Sequence, residues 1–151
     1  MIRIHAAGHN GKYHNKTGHF YPMHPEKFIG QYTPIFKSML EYKLMMYLDR
    51  SPAIVKWSYE KFPVTYIDQS SNPPKQRKYW IDFIVIAKAG NHLKTIWIEV
   101  KSKRETHKPK ETANMNEQKT WVKNCCKWAA AKKLATSKGY DFKIITEEQL
   151  D

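Results

Sequence analysis

The stretch "KTIWIEVKSK", residues 94–103, is the strongest constraint on what this chain can fold into. Ile96, Trp97, Ile98 and Val100 make an apolar, β-rich run that reads as a buried strand. Glu99 and Lys101 interrupt and close it. Side chains two apart on a strand share a face. Glu99 and Lys101 therefore look out together, and Ile98 and Val100 look the other way. Upstream, "KYWIDFIVIA" at 78–87 has the same character and holds Asp82. The intervening "KAGNH" at 88–92 reads as a hairpin turn.

If the hairpin closes on Gly90-Asn91, Asp82 falls directly opposite Glu99 on the same face. Their Cβ atoms then lie about 5 Å apart, and like charges so placed are destabilising. Either one carboxyl is protonated, or Lys101 bridges the two, or a cation sits between them. The bland alternative is an edge-strand charge cluster. A hard divalent cation such as Mg²⁺ is the economical answer, because it binds oxygen ligands through one or two carboxylates. Asp82, Glu99 and the carbonyl of Val100 are the candidate metal ligands. Lys101 is the candidate group for orienting water or holding the scissile phosphate. Such a centre suits phosphodiester hydrolysis.

A third acid belongs to this reading. "PIFKSMLEYKLMMYLD" at 34–49 has Phe36, Leu40, Leu44, Tyr47 and Leu48 at helical spacing, with Thr33 as cap and Pro34 in the first turn. Glu41 lies on or beside that apolar stripe, where a carboxylate needs a partner or a ligand. Glu41, Asp82, Glu99 and Lys101 are the candidate catalytic residues.

Charge points to the partner. The 151 residues carry 26 basic and 14 acidic side chains, a net +12. That excess favours nucleic acid over other partners. No run of about 18 apolar residues is present, so no membrane association is expected, and no export signal is read. Cys125 and Cys126 are adjacent, make a poor disulfide and suggest a reducing compartment.

The rest of the chain gives the frame. Residues 1–33 read as an irregular basic arm, with a short strand at 2–6, an Asn-Gly turn in 9–12, and histidines at 5, 9, 14, 19 and 24 that suit solvent or phosphate better than zinc. Strands are expected over 53–62 and 64–66, a loop over 68–75, strands over 78–87 and 94–101, and a mobile basic loop over 102–115. A helix follows over 116–138, with Trp121, Val122, Cys125, Trp128 and Ala129 as its stripe and Gly139 as its stop. "FKIIT" at 142–146 reads as a strand, and "TEEQ" at 146–149 as a capping box opening a last short helix. The five tryptophans are expected to pack in the core. The order gives an α/β fold, a mixed sheet flanked by helices. Residues 34–151 form its domain.

These residues resemble the PD-(D/E)xK nuclease superfamily, which implies a restriction-endonuclease-like core. Asp82 matches its motif Asp, Glu99-Val100-Lys101 its ExK, and Glu41 its helical Glu; position 81 is Ile where the family usually has proline. Nearly the whole chain, from "NGKYHNKTGHFYPMHPEKFIG" through "FKSMLEYKLMMYLD", "RKYWIDFIV" and "IWIEVKSKRETHKPK" to "WAAAKKLATSKGYDFKIITEEQL", is similar to tailed-phage head completion nucleases. A core that cuts transposon ends is similar too. The family's usual Arg-Ser before the helical Glu appears here as Lys37-Ser38.

The resemblance implies an Mg²⁺-dependent DNA endonuclease (Mn²⁺ substituting) that acts during head completion and genome packaging, before tail attachment. Its partners would be DNA and portal or neck proteins. Its place would be the virion head or neck, and the host cytoplasm during assembly. A DNA-binding structural neck protein that keeps the fold, and a junction resolvase or transposon-end nuclease, are the alternatives. Lys37, Lys103, Arg104, Lys108, Lys110, Lys119 and Lys123 are the candidate DNA contacts, chiefly to phosphate. Gln118 or Lys119 is positioned to approach the site from the start of the second helix. No base-reading constellation is evident, so sequence-specific cutting is not expected.

Overall fold

The computed structural model describes residues 16–150. The strand expected at 2–6, the turn in 9–12 and histidines 5, 9 and 14 lie outside them. The elements follow the order β1 (Gly18–His19), β2 (Ile35–Phe36), α1 (Met39–Arg50), β3 (Ile54–Tyr59), β4 (Pro63–Asp68), β5 (Lys75–Trp80), β6 (Phe83–Ala89), β7 (His92–Val100), α2 (Met115–Ser137), β8 (Asp141–Ile145) and α3 (Glu147–Leu150).

The central sheet is four-stranded, in the order β3-β6-β7-β8. β3, β6 and β7 form an antiparallel meander, and α2 carries the chain over so that β8 lies parallel to β7. The sheet is therefore mixed, with a helix on each face, as expected. The hairpin closes as read: Phe83 pairs with Ile98 and Ala89 with His92. Gly90 takes φ +63° at the first central position, as a type II′ turn requires.

Strand alternation sorts two cores. Phe83, Val85, Ile98 and Val100 face α1 and its Leu44, Met45 and Leu48, with Trp57 and Phe20 filling the gap. Trp97 and Ile81 face α2 at Ala131 and Ala135, together with Val64, Tyr66 and Tyr79 from a separate β4–β5 ribbon. Each large apolar side chain so buried stabilises the fold by about 1.5–3 kcal/mol before entropy is counted. The described part of the first 33 residues packs on this frame. Phe20 is buried, Ile29 N–H donates to the Trp57 carbonyl, and the Asp49 carboxylate accepts from the N–H groups of Met23 and His24.

Four expectations need correction. The first helix starts at Met39, with Ser38 as cap, and not at Pro34. Ile35 and Phe36 are drawn into pairing with Gly18 and His19, and the Pro34 carbonyl accepts from Phe20 N–H. The "SMLE" sequence carried that signal: Ser38 Oγ accepts from Glu41 N–H at 3.1 Å, an N-cap bond, while the Glu41 carboxylate turns to Lys37 N–H.

The expected strand 78–87 is two strands. β5 pairs with β4 as far as Trp80, and Ile81 N–H then donates to Phe62 O. From Phe83 onward the partner is β3. The chain changes partner opposite Glu60, whose φ of +46° turns β3 away from β4.

The stripe expected on α2 is displaced. Ala131 and Ala135 are fully buried, because small residues let the helix approach the Trp97 side of the sheet. Ala129 is exposed, and Val122 is 38 % exposed. Trp121 and Trp128 meet edge-on at the half-buried flank, with ring centroids 6.1 Å apart. Finally, only Trp57 and Trp97 are core residues; Trp80 is 50 % exposed. Both cysteines are free. Among the described residues no helix is long and apolar enough to cross a membrane.

Candidate active site

Asp82 sits where the chain leaves the ribbon and enters the sheet, next to the first β6–β7 pair. Its Oδ2 accepts from Val100 N–H at 2.8 Å, which anchors it beside Glu99 on the neighbouring strand. Its carbonyl accepts from Glu60 N–H at 2.9 Å. Glu99 is 4 % exposed, on the α2 side of the sheet, and its Oε1 has no hydrogen-bond partner. Burial raises the proton affinity of both carboxyls. The Asp82 charge raises that of Glu99 further, and the Glu41 charge raises that of Asp82. Val100 N–H and the Lys101 ammonium pull the other way without restoring the ordinary range for Asp82.

Glu41 reaches the same place from α1. Its Oε2 accepts from Lys37 N–H at 2.6 Å and from the Tyr59 hydroxyl at 2.9 Å. Burial raises its proton affinity more than those bonds lower it. Glu60 completes the cluster from the end of β3, and both its oxygens accept from Lys37 Nζ, at 2.8 and 2.9 Å. One oxygen each of Glu41, Glu60 and Asp82 lies within 4.8 Å of the others. Lys101 follows Glu99 out of β7, its N–H tied to Ile145 O at 3.0 Å, and its charge acts on both Asp82 and Glu99.

The donor set is all oxygen, densely charged and partly buried, with one buried carboxylate oxygen lacking any partner. Those are the preferences of a hard divalent cation. The residues present therefore fit such an ion.

The fold thus gathers Glu41, Asp82, Glu99, Val100 and Lys101 at one end of the sheet, with Lys37 at its edge. Glu60 and Tyr59 escaped the reading of the sequence. An acid ending an apolar strand in "WSYEKFP" was their only trace, and the kink that turns Glu60 inward has no sequence signature. The other expected contacts lie elsewhere. Arg104, Lys108 and Lys110 line an open cleft between the loop after β7 and the start of α2, with Asn116 and Trp121. Lys103 is ion-paired with Glu148 at 2.6 Å. Lys119 is exposed on α2. Lys123 stands 3.9 Å from the buried Asp68. Gln118 does not approach the carboxylates, since its amide donates to the carbonyls of Glu111 and Ala113 and staples the loop.

Residues 51–147 match the family described as TnsA-like endonuclease N terminal. Over 144 residues the chain is 31 % identical to the head completion nuclease of Enterobacteria phage T4, covering 89 % of this chain and 93 % of that protein.

Proposed function

Because this chain belongs to the TnsA-like endonuclease family, and with it to the head completion nucleases, we propose that it is a divalent-metal-dependent DNA endonuclease of phage head completion. The observation that most supports the catalytic part is the Glu99 carboxylate. It is buried against Asp82 with an oxygen that nothing in the protein satisfies. A fold selected for stability alone gains nothing from that arrangement.

Asp82, Glu99 and the Val100 carbonyl would hold the ion, with Glu41 and Glu60 flanking it. When bound, Mg²⁺ or Mn²⁺ would supply positive charge to the scissile phosphate and acidify a nearby water. The chain's own groups do the positioning. The Val100 N–H fixes one oxygen of Asp82 and leaves the other available. Lys37 N–H and the Tyr59 hydroxyl fix Glu41 in the same way. Lys101, two residues past the register position of Asp82, holds a phosphate oxygen or the attacking water. The basic cleft of Arg104, Lys108 and Lys110, with Lys119 and Lys123 beyond it, carries the backbone of the DNA. Lys37 and Lys103 would contribute where their carboxylate partners allow.

In this reading residues 1–33 are an arm on a single nuclease domain over 34–151. The protein acts on DNA at the head or neck of the particle, beside portal or neck proteins, before the tail joins. The test is plasmid nicking in Mg²⁺, in EDTA and with Glu99→Gln, alongside thermal shift in Ca²⁺ or Mn²⁺. Nicking and metal stabilisation that both vanish in Glu99→Gln are expected. Nicking by the purified variant at the wild-type rate would refute the assignment.

A further inference from the structure

One aromatic side chain near the carboxylates is half exposed and meets no other ring among the described residues. The chain has five tryptophans. Trp57, Trp97, Trp121 and Trp128 each face another aromatic ring. Trp80 faces none among the described residues and is 50 % exposed. Strand alternation explains its direction. Tyr79 turns inward, where its hydroxyl donates to the Lys127 carbonyl of α2, and Lys78 and Trp80 turn outward. A tryptophan left in water forgoes the burial that makes the residue useful.

Its neighbours give that exposure a meaning. Trp80, Lys78, Tyr79, Lys37 and Glu60 line one open, shallow cleft. Glu60 belongs to the carboxylate cluster. Trp80 precedes Asp82 by two residues, so their Cα atoms are at most about 7 Å apart. Lys78, two residues before Trp80 on the same face of its strand, is exposed beside it.

An indole face, lysines and the reacting carboxylates thus share one rim. Cations and a bare aromatic face together recognise an unstacked nucleotide, because every base offers a π-face and the phosphates are anionic. A base inside a duplex has both faces covered by its neighbours and cannot use the indole.

We propose that Trp80, with Lys78 beside it, is a stacking platform for an unpaired base flanking the scissile phosphate, so that this protein favours DNA with a single-stranded segment. The proposal rests on the endonuclease reading for its substrate, and its test keeps the two apart. The full chain is titrated by fluorescence anisotropy, in EDTA, against a blunt duplex and the same duplex with a single-stranded extension. Trp80→Ala should lose about 5- to 150-fold in affinity for the extended DNA and little for the blunt one. Trp80→Phe should recover most of the loss. 2-Aminopurine at the first unpaired position should be quenched by the wild type and by Trp80→Phe, and not by Trp80→Ala.

Equal affinities of wild type and Trp80→Ala for the extended DNA would overturn the proposal. So would an equal loss on both DNAs, or an unquenched 2-aminopurine. Cleavage in Mg²⁺ is run on the same DNAs. Wild-type protein that stacks without cutting would sink the nuclease reading and leave the platform. Cutting with a preference unchanged in Trp80→Ala would sink the platform and leave the nuclease.

Discussion

Asp49 and Asp68 are each only 1 % exposed, and Glu99 is 4 % exposed, yet the three carboxylates live under opposite conditions. Asp49 accepts two backbone N–H bonds, at 2.8 and 2.9 Å. Asp68 accepts from the N–H and hydroxyl of Ser70 and from Arg77 Nε, with Lys123 nearby. The Ser70 hydroxyl bond, with the Arg77 bond adding to it, holds the Asp68 carboxyl below its ordinary range. Glu99 instead faces Asp82, keeps an unpartnered oxygen and is pushed upward by burial and by its neighbour's charge. The first two are fully paired within the protein and fix the arm and the ribbon. The last keeps an oxygen that no group among the described residues satisfies. Burial of an acid alone says nothing; the state of its lone pairs separates structure from chemistry.

The largest expected effect comes from closing that open site. Asp82→Asn and Glu99→Gln should each lower DNA cleavage on the order of 10³-fold or more. Their metal-free melting temperatures should hold or rise, because a like-charge pair is relieved. Unfolding of both variants would make the two regions alike and break the comparison.

The complementary change is in the satisfied region. Asp49→Ala leaves the N–H groups of Met23 and His24 without their acceptor, which should cost about 2–4 kcal/mol. Denaturant melts read this loss. Cleavage per folded molecule should stay near wild type. If activity falls with Asp49→Ala more than folded fraction does, the packed arm contributes to the site as well as to the frame.

The site was legible where chemistry and period coincide. An acid inside an apolar strand contradicts its surroundings, and the hairpin register is arithmetic once the turn is known. That is why Asp82, Glu99 and Lys101 were readable, and why Glu41 was readable from its helical stripe even though the helix start was misplaced. Glu60 was not, because its approach depends on a single left-handed residue where two strands part. Asp49 and Asp68 were not singled out either. The partners of Asp49 are backbone groups 25 and 26 residues away, and Arg77 reaches Asp68 across the ribbon; only the Asp68–Ser70 turn is local. Trp80 misled for the converse reason: it ends a ribbon strand with one open face, and periodicity cannot say which face water sees.

pH should tilt the two regions in opposite directions. Glu99 has a folded-state proton affinity above its unfolded one, so its stabilising protonated form is intact below the ordinary carboxylate range. That stability is lost as pH rises through the raised value, by at most about 1.4 kcal/mol per pH unit. Asp68 has the reverse sign: its contribution is present above the ordinary carboxylate range and fades as pH falls. Metal-free melts across pH should show Glu99→Gln shrinking the decline toward neutral pH, to which Asp82 and Glu41 also contribute, and Asp68→Asn shrinking the one on the acid side. A wild-type profile that Glu99→Gln leaves unchanged would mean that the buried pair is not strained.

The smallest effect extends the contrast from acids to bases. Lys103 is already paired with Glu148, and its backbone N–H donates to Glu147, so α3 satisfies it as Ser70 and Arg77 satisfy Asp68. Lys108 and Lys110 line the open cleft a few residues on. Removing one lysine that neutralises a phosphate should flatten the plot of log affinity against log salt by about 0.9. Lys108→Ala and Lys110→Ala should each do this, which amounts to roughly a threefold smaller loss of binding between 50 and 200 mM salt. Lys103→Ala should leave the slope nearly unchanged, because a lysine that keeps its carboxylate partner releases no counterion from DNA. A Lys103 variant that flattens the slope as much as the other two would show that DNA displaces Glu148. The pairing seen within the protein would then describe only its DNA-free state.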